Sequence, residues 1–172
     1  MDTVRDIVET VLISLLIAVL VRTFVVERFL VDGPCMEPTF WTGESLLVWK
    51  LAYKFGGSPK RGDIVVFKYP LGPEKDYTKR VVAIGGDSIE MRLGRVYING
   101  QQVQEPFVTY PGLYDTKAIT VPEGSVFVMG DHRTNSEDSR TFGPVKLKDV
   151  KGKAVLIVWP PKNAGFIKQG RE

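Results

Sequence analysis

The chain has 172 residues, and 23 Lys and Arg against 20 Asp and Glu give a formal net charge of +3. These charges are interspersed rather than grouped, so we expect no nucleic-acid partner, and about 140 residues remain beyond an apolar N-terminus, enough for one domain. A single His and a single Cys cannot supply a zinc site ligated by N and S, and no glycine-rich phosphate loop is present, so we expect no metal and no cofactor.

An apolar segment near the N-terminus predicts a membrane helix. Residues Ile7–Val26 would span about 30 Å as a helix, which matches the hydrocarbon core of a bilayer. The uncharged part, Thr10–Val21, is shorter because Glu9 and Arg22 lie near its two ends, so a buried amphipathic helix is the alternative. Acidic residues before the apolar run argue against a cleaved signal peptide and leave the orientation open. We assign residues 1–31 to this anchor and its exit segment.

A stiff turn follows the anchor in residues 32–39. Gly33 permits backbone conformations that a Cβ would block, while Pro34 and Pro38 fix φ on either side of Cys35. Cys35 is the only cysteine, so it has no disulfide partner within the chain. It is therefore a candidate nucleophile, and the alternative is a small buried hydrophobic residue.

The remaining residues, 32–172, have the pattern of a β domain. Short β-branched and aromatic runs are separated by Gly, Pro and Asp turns, which predicts a mostly β fold of antiparallel sheets or a partial barrel. The segment Phe24–Val31 has a similar composition and would lead from the membrane into the stiff turn. We expect loops at 69–78 and 106–117, and tight turns at Leu93-Gly94 and Asn99-Gly100. The predicted strands are Ser45–Lys50, Ile64–Tyr69, Arg80–Ile84, Ser88–Met91, Val96–Ile98, Val126–Met129 and Ala154–Trp159.

Two adjacent cations, Lys79 and Arg80, open an apolar run. We expect one of them to enter the core, where a lysine must be neutral or paired because burial disfavours its charged form. A neutral amine can act as a general base. The alternative is that Lys79 is a solvated charge at the end of a strand.

A second polar cluster, in residues 130–145, follows an apolar strand. Ser136 and Ser139 are candidate hydroxyl partners for a buried amine, and the alternative is a surface turn held by local hydrogen bonds. His132 is the only histidine, and its charged neighbours are typical of an exposed side chain, so we favour Lys79 as the base. Ion pairs are expected to lock this loop, formed by Asp131, Arg133, Asp138 and Arg140.

Taken together, these segments resemble bacterial type I signal peptidase, a membrane-bound peptidase. Four motifs match in order along most of the chain: Gly33-Pro34-Cys35-Met36-Glu37-Pro38-Thr39, Arg61-Gly62-Asp63-Ile64-Val65-Val66-Phe67, Lys79-Arg80-Val81-Val82 with Gly86-Asp87, and Gly130-Asp131 through Asn135-Ser136 to Asp138-Ser139-Arg140. The resemblance implies a serine/lysine dyad protease in which Lys79 is the base and Ser136 orients it. It also implies that Arg80 pairs with an acid of the last motif, for which Asp131 is the candidate.

Three positions depart from the family pattern. Cys35 stands where the family has its serine nucleophile, and His132 stands where an asparagine is usual. In some relatives a serine at the position of Gly33 helps to hold the oxyanion, and Gly33 has no hydroxyl. The backbone N–H of Cys35 is then the expected oxyanion donor.

The resemblance further implies where the protein works and on what. Its partners would be signal peptides of exported preproteins and the lipid bilayer. A single helix would anchor it in the bacterial cytoplasmic membrane, with a catalytic domain in residues 32–172 outside the cytoplasm. An extended peptide would add as a strand, with Gly33 and Met36 contacting it. The alternative is a membrane-tethered β module that binds extended peptides without cutting them.

Overall fold

The computed structural model describes residues 2–72 and 75–167, which form two helices and twelve strands. Both sheets are antiparallel throughout. The elements are α1 (Asp2–Leu20), β1 (Val26–Leu30), β2 (Ser45–Trp49), β3 (Ile64–Lys68), β4 (Asp76–Ile84), β5 (Ser88–Arg92), β6 (Arg95–Ile98), β7 (Gln101–Gln102), β8 (Thr116–Thr120), β9 (Ser125–Met129), α2 (Ser139–Phe142), β10 (Val145–Lys146), β11 (Val150–Trp159) and β12 (Gly165–Phe166).

The N-terminal helix is long and apolar enough to cross a bilayer. Helix α1 continues through a π-helical turn at Val21–Val25, and the stretch Thr3–Val25 has a mean hydropathy of 2.2. None of it is buried against the rest of the chain, so the alternative of a buried amphipathic helix is wrong. The helical segment begins before the predicted Ile7 and ends one residue before the predicted Val26. Strand β1 starts at once, and the predicted exit segment is therefore a strand.

The larger sheet carries the stiff turn and the candidate base. Its strand order is β1-β2-β11-β3-β4-β9-β10, and β12 pairs with β11. Strand β1 pairs with β2 along its whole length, from Val26 opposite Trp49 to Leu30 opposite Ser45. The exit segment is thus part of the domain sheet. The division at residue 31 remains a prediction about the anchor and the catalytic domain.

The smaller sheet, in the order β7-β6-β5-β8, packs on one face of β4 and β9. Both predicted tight turns are present, since Leu93, Gly94, Asn99 and Gly100 all have positive φ. All of β9 is buried, with Phe127 and Met129 facing the smaller sheet's core while neighbouring valines fill the core on the other face. This two-sided burial explains why β9 is uniformly apolar rather than alternating.

One of the predicted loops is wrong in its last part. Strand β4 begins at Asp76, not at Arg80, because Tyr77 and Thr78 pair with Phe67 and Val66 of β3. Both are good strand formers. Lys79 therefore lies inside a strand rather than at its end. The other loop, predicted at 106–117, also ends earlier in the structure than predicted, because β8 starts at Thr116.

Candidate active site

The stiff turn is held by its own backbone and by the core beneath it. Glu37 N–H donates to the Pro34 carbonyl and Phe40 N–H to the Met36 carbonyl, each at 3.0 Å. Met36 and Phe40 are 1% and 0% exposed in the core under the turn, and burial of two such side chains contributes several kcal/mol. Gly33 has φ of +98°, a left-handed conformation that favours glycine. The turn is consequently fixed at the residues on both sides of Cys35.

The structure brings Cys35 and Lys79 into direct contact. Lys79 Nζ lies 2.9 Å from Cys35 Sγ, and Sγ lies 4.0 Å from the Thr78 carbonyl oxygen. Lys79 is only 3% exposed, so the alternative of a solvated strand-end charge is wrong. The ring of Tyr77 lies beneath the amine, with its centroid 5.0 Å from Nζ. A nucleophile and a base are therefore within hydrogen-bond reach in a site shielded from water.

Cys35 and Lys79 open into a cleft of about 220 Å³. One wall is the end of β1 and the stiff turn, and the other is the start of β4. The lining residues are Leu30, Val31, Asp32, Pro34, Cys35, Met36, Lys75, Asp76, Tyr77, Thr78, Lys79, Asn135 and Glu137. Met36, predicted to contact substrate, is among them, and Gly33 lies between two of them in the sequence.

The cleft wall on β4 is a strand edge. Residues 76–79 pair with β3, but the pairing of β4 with β9 begins only at Arg80, opposite Met129. The β9 side of residues 76–79 is thus free of a strand partner among the described residues. An extended peptide could hydrogen bond to this edge.

Behind the nucleophile, Arg80 and Asp131 form the predicted ion pair. Arg80 Nε and Nη2 donate to the two carboxylate oxygens of Asp131 at 2.8 and 2.7 Å, and both side chains are buried. Arg80 also donates to the Gly62 carbonyl at 2.9 Å. The hydroxyl of Thr39 donates to Asp131, so the pair holds the far end of the stiff turn.

Asp138 organises the loop after β9. It accepts from Gly130 N–H at 3.0 Å and from two nitrogens of Arg140 at 2.7 Å each. Burial opposes the charge of Arg140, but the hydrogen bond and charge of Asp138 outweigh it and raise the pKa of Arg140. The Ser139 hydroxyl accepts from Val128 N–H at 2.9 Å, which makes Ser139 a structural residue rather than a partner of the amine.

Ser136 makes a different contact from the one expected. Its hydroxyl donates to Asp138 at 2.8 Å, and within the described residues it makes no hydrogen bond to Lys79. An ionised carboxylate is a stronger acceptor than an amine that competes for the same hydroxyl. Ser136 nevertheless lies next to the nucleophile, because a Cβ on Gly130 would lie 2.3 Å from Ser136 Oγ and 2.4 Å from the Cys35 carbonyl oxygen. Its orienting role stays a prediction.

His132 and Arg133 differ from expectation. The backbone N–H of His132 donates to the Cys35 carbonyl at 3.1 Å, and its ring stacks on Tyr110 at 4.2 Å between centroids. The side chain is partly buried, so the expected exposure is wrong. Arg133 pairs with Glu105 rather than with an acid of its own loop, and this carboxylate raises the pKa of Arg133 although burial opposes the charge.

Sequence reasoning missed a cluster at the mouth of the cleft. Tyr69 and Tyr77 donate their hydroxyls to Glu137 at 2.6 and 2.8 Å. Burial and then the bond to Glu137 raise the pKa of Tyr77 to about 12, while the two hydroxyls lower the pKa of Glu137. The available signal was the tyrosine pair at the end of β3 and the start of β4. Because residues 69–78 were predicted to form a loop, the tyrosine pair was not recognised as part of the site.

Comparison with known proteins agrees with this geometry. The family described as "Signal peptidase, peptidase S26" matches residues 4–159, a range that contains Cys35, Lys79 and the whole loop after β9. The chain belongs to this signal peptidase family.

Relatives in the signal peptidase family extend over nearly the whole chain. A signal peptidase I of Bacillus licheniformis is 38% identical over 168 residues, which cover 89% of this chain and 87% of the relative. A probable signal peptidase I-1 of Synechocystis sp. is 35% identical over 171 residues, covering 94% and 86%. A crystal structure of a signal peptidase I from Enterococcus faecalis V583 is 34% identical and covers 56% of this chain and 96% of its own, with a TM-score of 0.51. The mostly antiparallel β fold is thereby confirmed.

Proposed function

We propose that this protein is a membrane-anchored endopeptidase that removes N-terminal signal peptides from exported preproteins, with Cys35 as nucleophile and Lys79 as general base. The observation that carries the proposal is the 2.9 Å contact between Lys79 Nζ and Cys35 Sγ at the floor of an open cleft. Membership of the signal peptidase family supports the reaction class and the kind of substrate.

The first half-reaction is acyl transfer to sulfur. Unprotonated Lys79 takes the thiol proton of Cys35, and the sulfur attacks the carbonyl carbon of the last signal-peptide residue. The backbone N–H of Cys35 donates to the oxyanion that forms. When the peptide bond breaks, Lys79 returns its proton to the leaving amine of the mature protein. A thioester then joins the signal peptide to Cys35.

The second half-reaction is hydrolysis of this thioester. Lys79, again unprotonated, takes a proton from water, and the hydroxide attacks the thioester carbonyl. Sulfur leaves and receives the proton from Lys79, which regenerates the thiol and releases the signal peptide as a carboxylic acid. Both steps use one amine, and no cofactor is needed.

Substrate binding follows from the free edge of β4. An extended peptide pairs with residues 76–79 and lies against the end of β1 and the stiff turn. The cleft of about 220 Å³ is smaller than the roughly 300–1,000 Å³ of pockets for drug-sized ligands. It is therefore a site for a few residues of an extended peptide, with Met36 in one wall.

The apolar helix anchors the domain in the bacterial cytoplasmic membrane, with residues from 32 onward outside the cytoplasm. Residues 27–35 reach at most about 30 Å when extended, so Cys35 works near the membrane surface, where a preprotein emerges. This topology has a simple check. Protease added outside intact cells should digest the domain, and protection until lysis would contradict it.

A non-cleaving peptide-binding module is the second candidate, and the observation in its favour is Cys35 in place of the family's serine. The purified full-length chain, in detergent, is incubated with a preprotein, and the new N-terminus is identified by mass spectrometry. Cleavage after a small residue, abolished by prior alkylation of Cys35, supports the peptidase. Bound but intact preprotein supports the binding module.

A further inference from the structure

The segment that joins β7 and β8 crosses behind the nucleophile. We call residues 105–114 the strap. Four of its side chains, spaced along the segment, each contact a different residue of the third and fourth motifs described above. The contacts are Glu105 with Arg133, Phe107 with Arg80, Tyr110 with His132 and Tyr114 with Arg140. The strap connects two strands of the smaller sheet. Its partners lie on β4 of the larger sheet or in the segment that follows β9.

One contact reaches the Cys35 end of the stiff turn. Tyr110 stacks on the His132 ring with 28° between the planes, and His132 Nδ1 lies 3.8 Å from a carboxylate oxygen of Glu37. The His132 backbone N–H meanwhile holds the Cys35 carbonyl at 3.1 Å. His132 thus joins the strap to the turn through both its ring and its backbone.

Another contact reaches the Thr39 end of the same turn. The ring centroid of Phe107 lies 3.8 Å from the guanidinium carbon of Arg80. Arg80 is paired with Asp131, which accepts from the Thr39 hydroxyl. Phe107 covers this ion pair, and a low-polarity cover strengthens the pair that fixes Thr39.

We infer that the strap is a positioning element for the nucleophile, with Phe107 and Tyr110 as its positioning residues. Through His132 the strap holds the turn at Cys35, and through Arg80 and Asp131 it holds the turn at Thr39. These two connections fix Sγ against Lys79. A displacement of about 1 Å in a reacting group can cost on the order of a hundredfold in rate. The strap touches neither reacting atom, and its effect is on alignment alone.

The test compares Phe107→Ala and Tyr110→Ala with two matched controls in the full-length chain. Tyr110→Phe keeps the ring that stacks on His132. Leu113→Ala changes a strap side chain that is 86% exposed. Circular dichroism melting first establishes that each variant is folded at the assay temperature.

The first readout is the rate at which iodoacetamide alkylates Cys35, because the reactive form is the thiolate that Lys79 generates. We expect alkylation about threefold slower or more in both alanine variants and unchanged in both controls. The second readout is preprotein cleavage, in which kcat falls by about tenfold at constant KM. Normal rates in Tyr110→Phe show that the ring of Tyr110, and not its hydroxyl, carries the effect.

The inference is overturned if the folded alanine variants are alkylated as fast as the parent chain. It is also overturned if Leu113→Ala slows alkylation as much as they do. The inference concerns the nucleophile of the proposed function, yet alkylation tests it separately. A parent chain that cleaves no preprotein, with strap-dependent alkylation, refutes the peptidase and supports the strap.

Discussion

The cleft and the loop after β9 differ in how completely their polar side chains are paired. Around the loop, Arg80, Arg133 and Arg140 each meet a carboxylate through two nitrogens, and the carboxylates of Asp131 and Asp138 accept further hydrogen bonds. In the cleft, Lys79 has one polar partner among the described residues, the sulfur of Cys35. Among the described residues no carboxylate is bonded to the Lys79 amine, so Cys35 is the group with which it can exchange a proton. We expect the fully paired side chains to make the loop rigid, and the single polar contact of Lys79 to leave its amine available for the reaction.

The largest gain in turnover that we expect comes from Cys35→Ser in the cleft, by up to about a hundredfold from about pH 7 to about pH 10. A thiol gives up its proton more readily than an alcohol, and a thiolate that keeps its proton on Lys79 would leave no free base for the later steps. The larger sulfur also misaligns the attack in a site of the serine type. The measurement is kcat for preprotein cleavage by both forms.

A serine form that turns over no faster across this range means that the thiol is the evolved nucleophile. Serine-type chemistry would then be withdrawn for this chain. Alkylation provides the control, since iodoacetamide should stop the Cys35 form and spare the serine form.

In the loop, breaking a buried pair should affect folding rather than chemistry first. Asp131→Asn leaves Arg80 charged and buried, which typically costs about 3–5 kcal/mol of unfolding free energy. Lys151→Met, which breaks the half-exposed pair of Lys151 with Asp76, should cost no more than about 1 kcal/mol. Thermal unfolding in detergent measures both. Equal losses would mean that the loop is not the rigid part of the site.

The smallest effect concerns the mouth of the cleft. Burial, and then the hydrogen bond and charge of Glu137, together raise the pKa of Tyr77 to about 12. Glu137→Gln removes the charge, so Tyr77 should ionise at a lower pH than in the parent while its burial keeps the pKa above the usual 10. Ultraviolet titration of tyrosinate measures this shift. An unchanged titration would show that Glu137 does not act on Tyr77.

The contrast between the two regions also separates what the sequence predicts from what it does not. Cys35, Lys79 and the Arg80–Asp131 pair follow from motifs, because each motif places its residues within a few positions of a strand or turn. Glu105 and Tyr110 do not, because they reach their partners across 28 and 22 sequence positions from a loop without any regular pattern. Ser136 was expected to bond the Lys79 amine, and its actual acceptor, Asp138, could not be predicted because it depends on competing distances.

Strand boundaries show the same limit. Tyr77 and Thr78 follow a Gly, Pro and charged stretch that is typical of loops, and only their pairing with β3 makes them strand. Local composition predicted the apolar centres of the seven listed strands correctly, but it did not predict β7, β8, β10 or β12. It could not predict how far pairing extends them.

The most direct test is to compare Lys79 with His132 as the general base. Lys79→Ala and Lys79→Arg should each lower preprotein cleavage by about 10²–10⁴-fold in a folded protein, since a guanidinium cannot be deprotonated. Lys117→Ala, at an exposed lysine, is the matched control and should leave cleavage unchanged. His132→Ala should retain at least about a tenth of the activity, because His132 aligns Cys35 without exchanging its proton. A dead His132→Ala beside an active Lys79→Ala would make this a Cys-His enzyme and contradict the assignment.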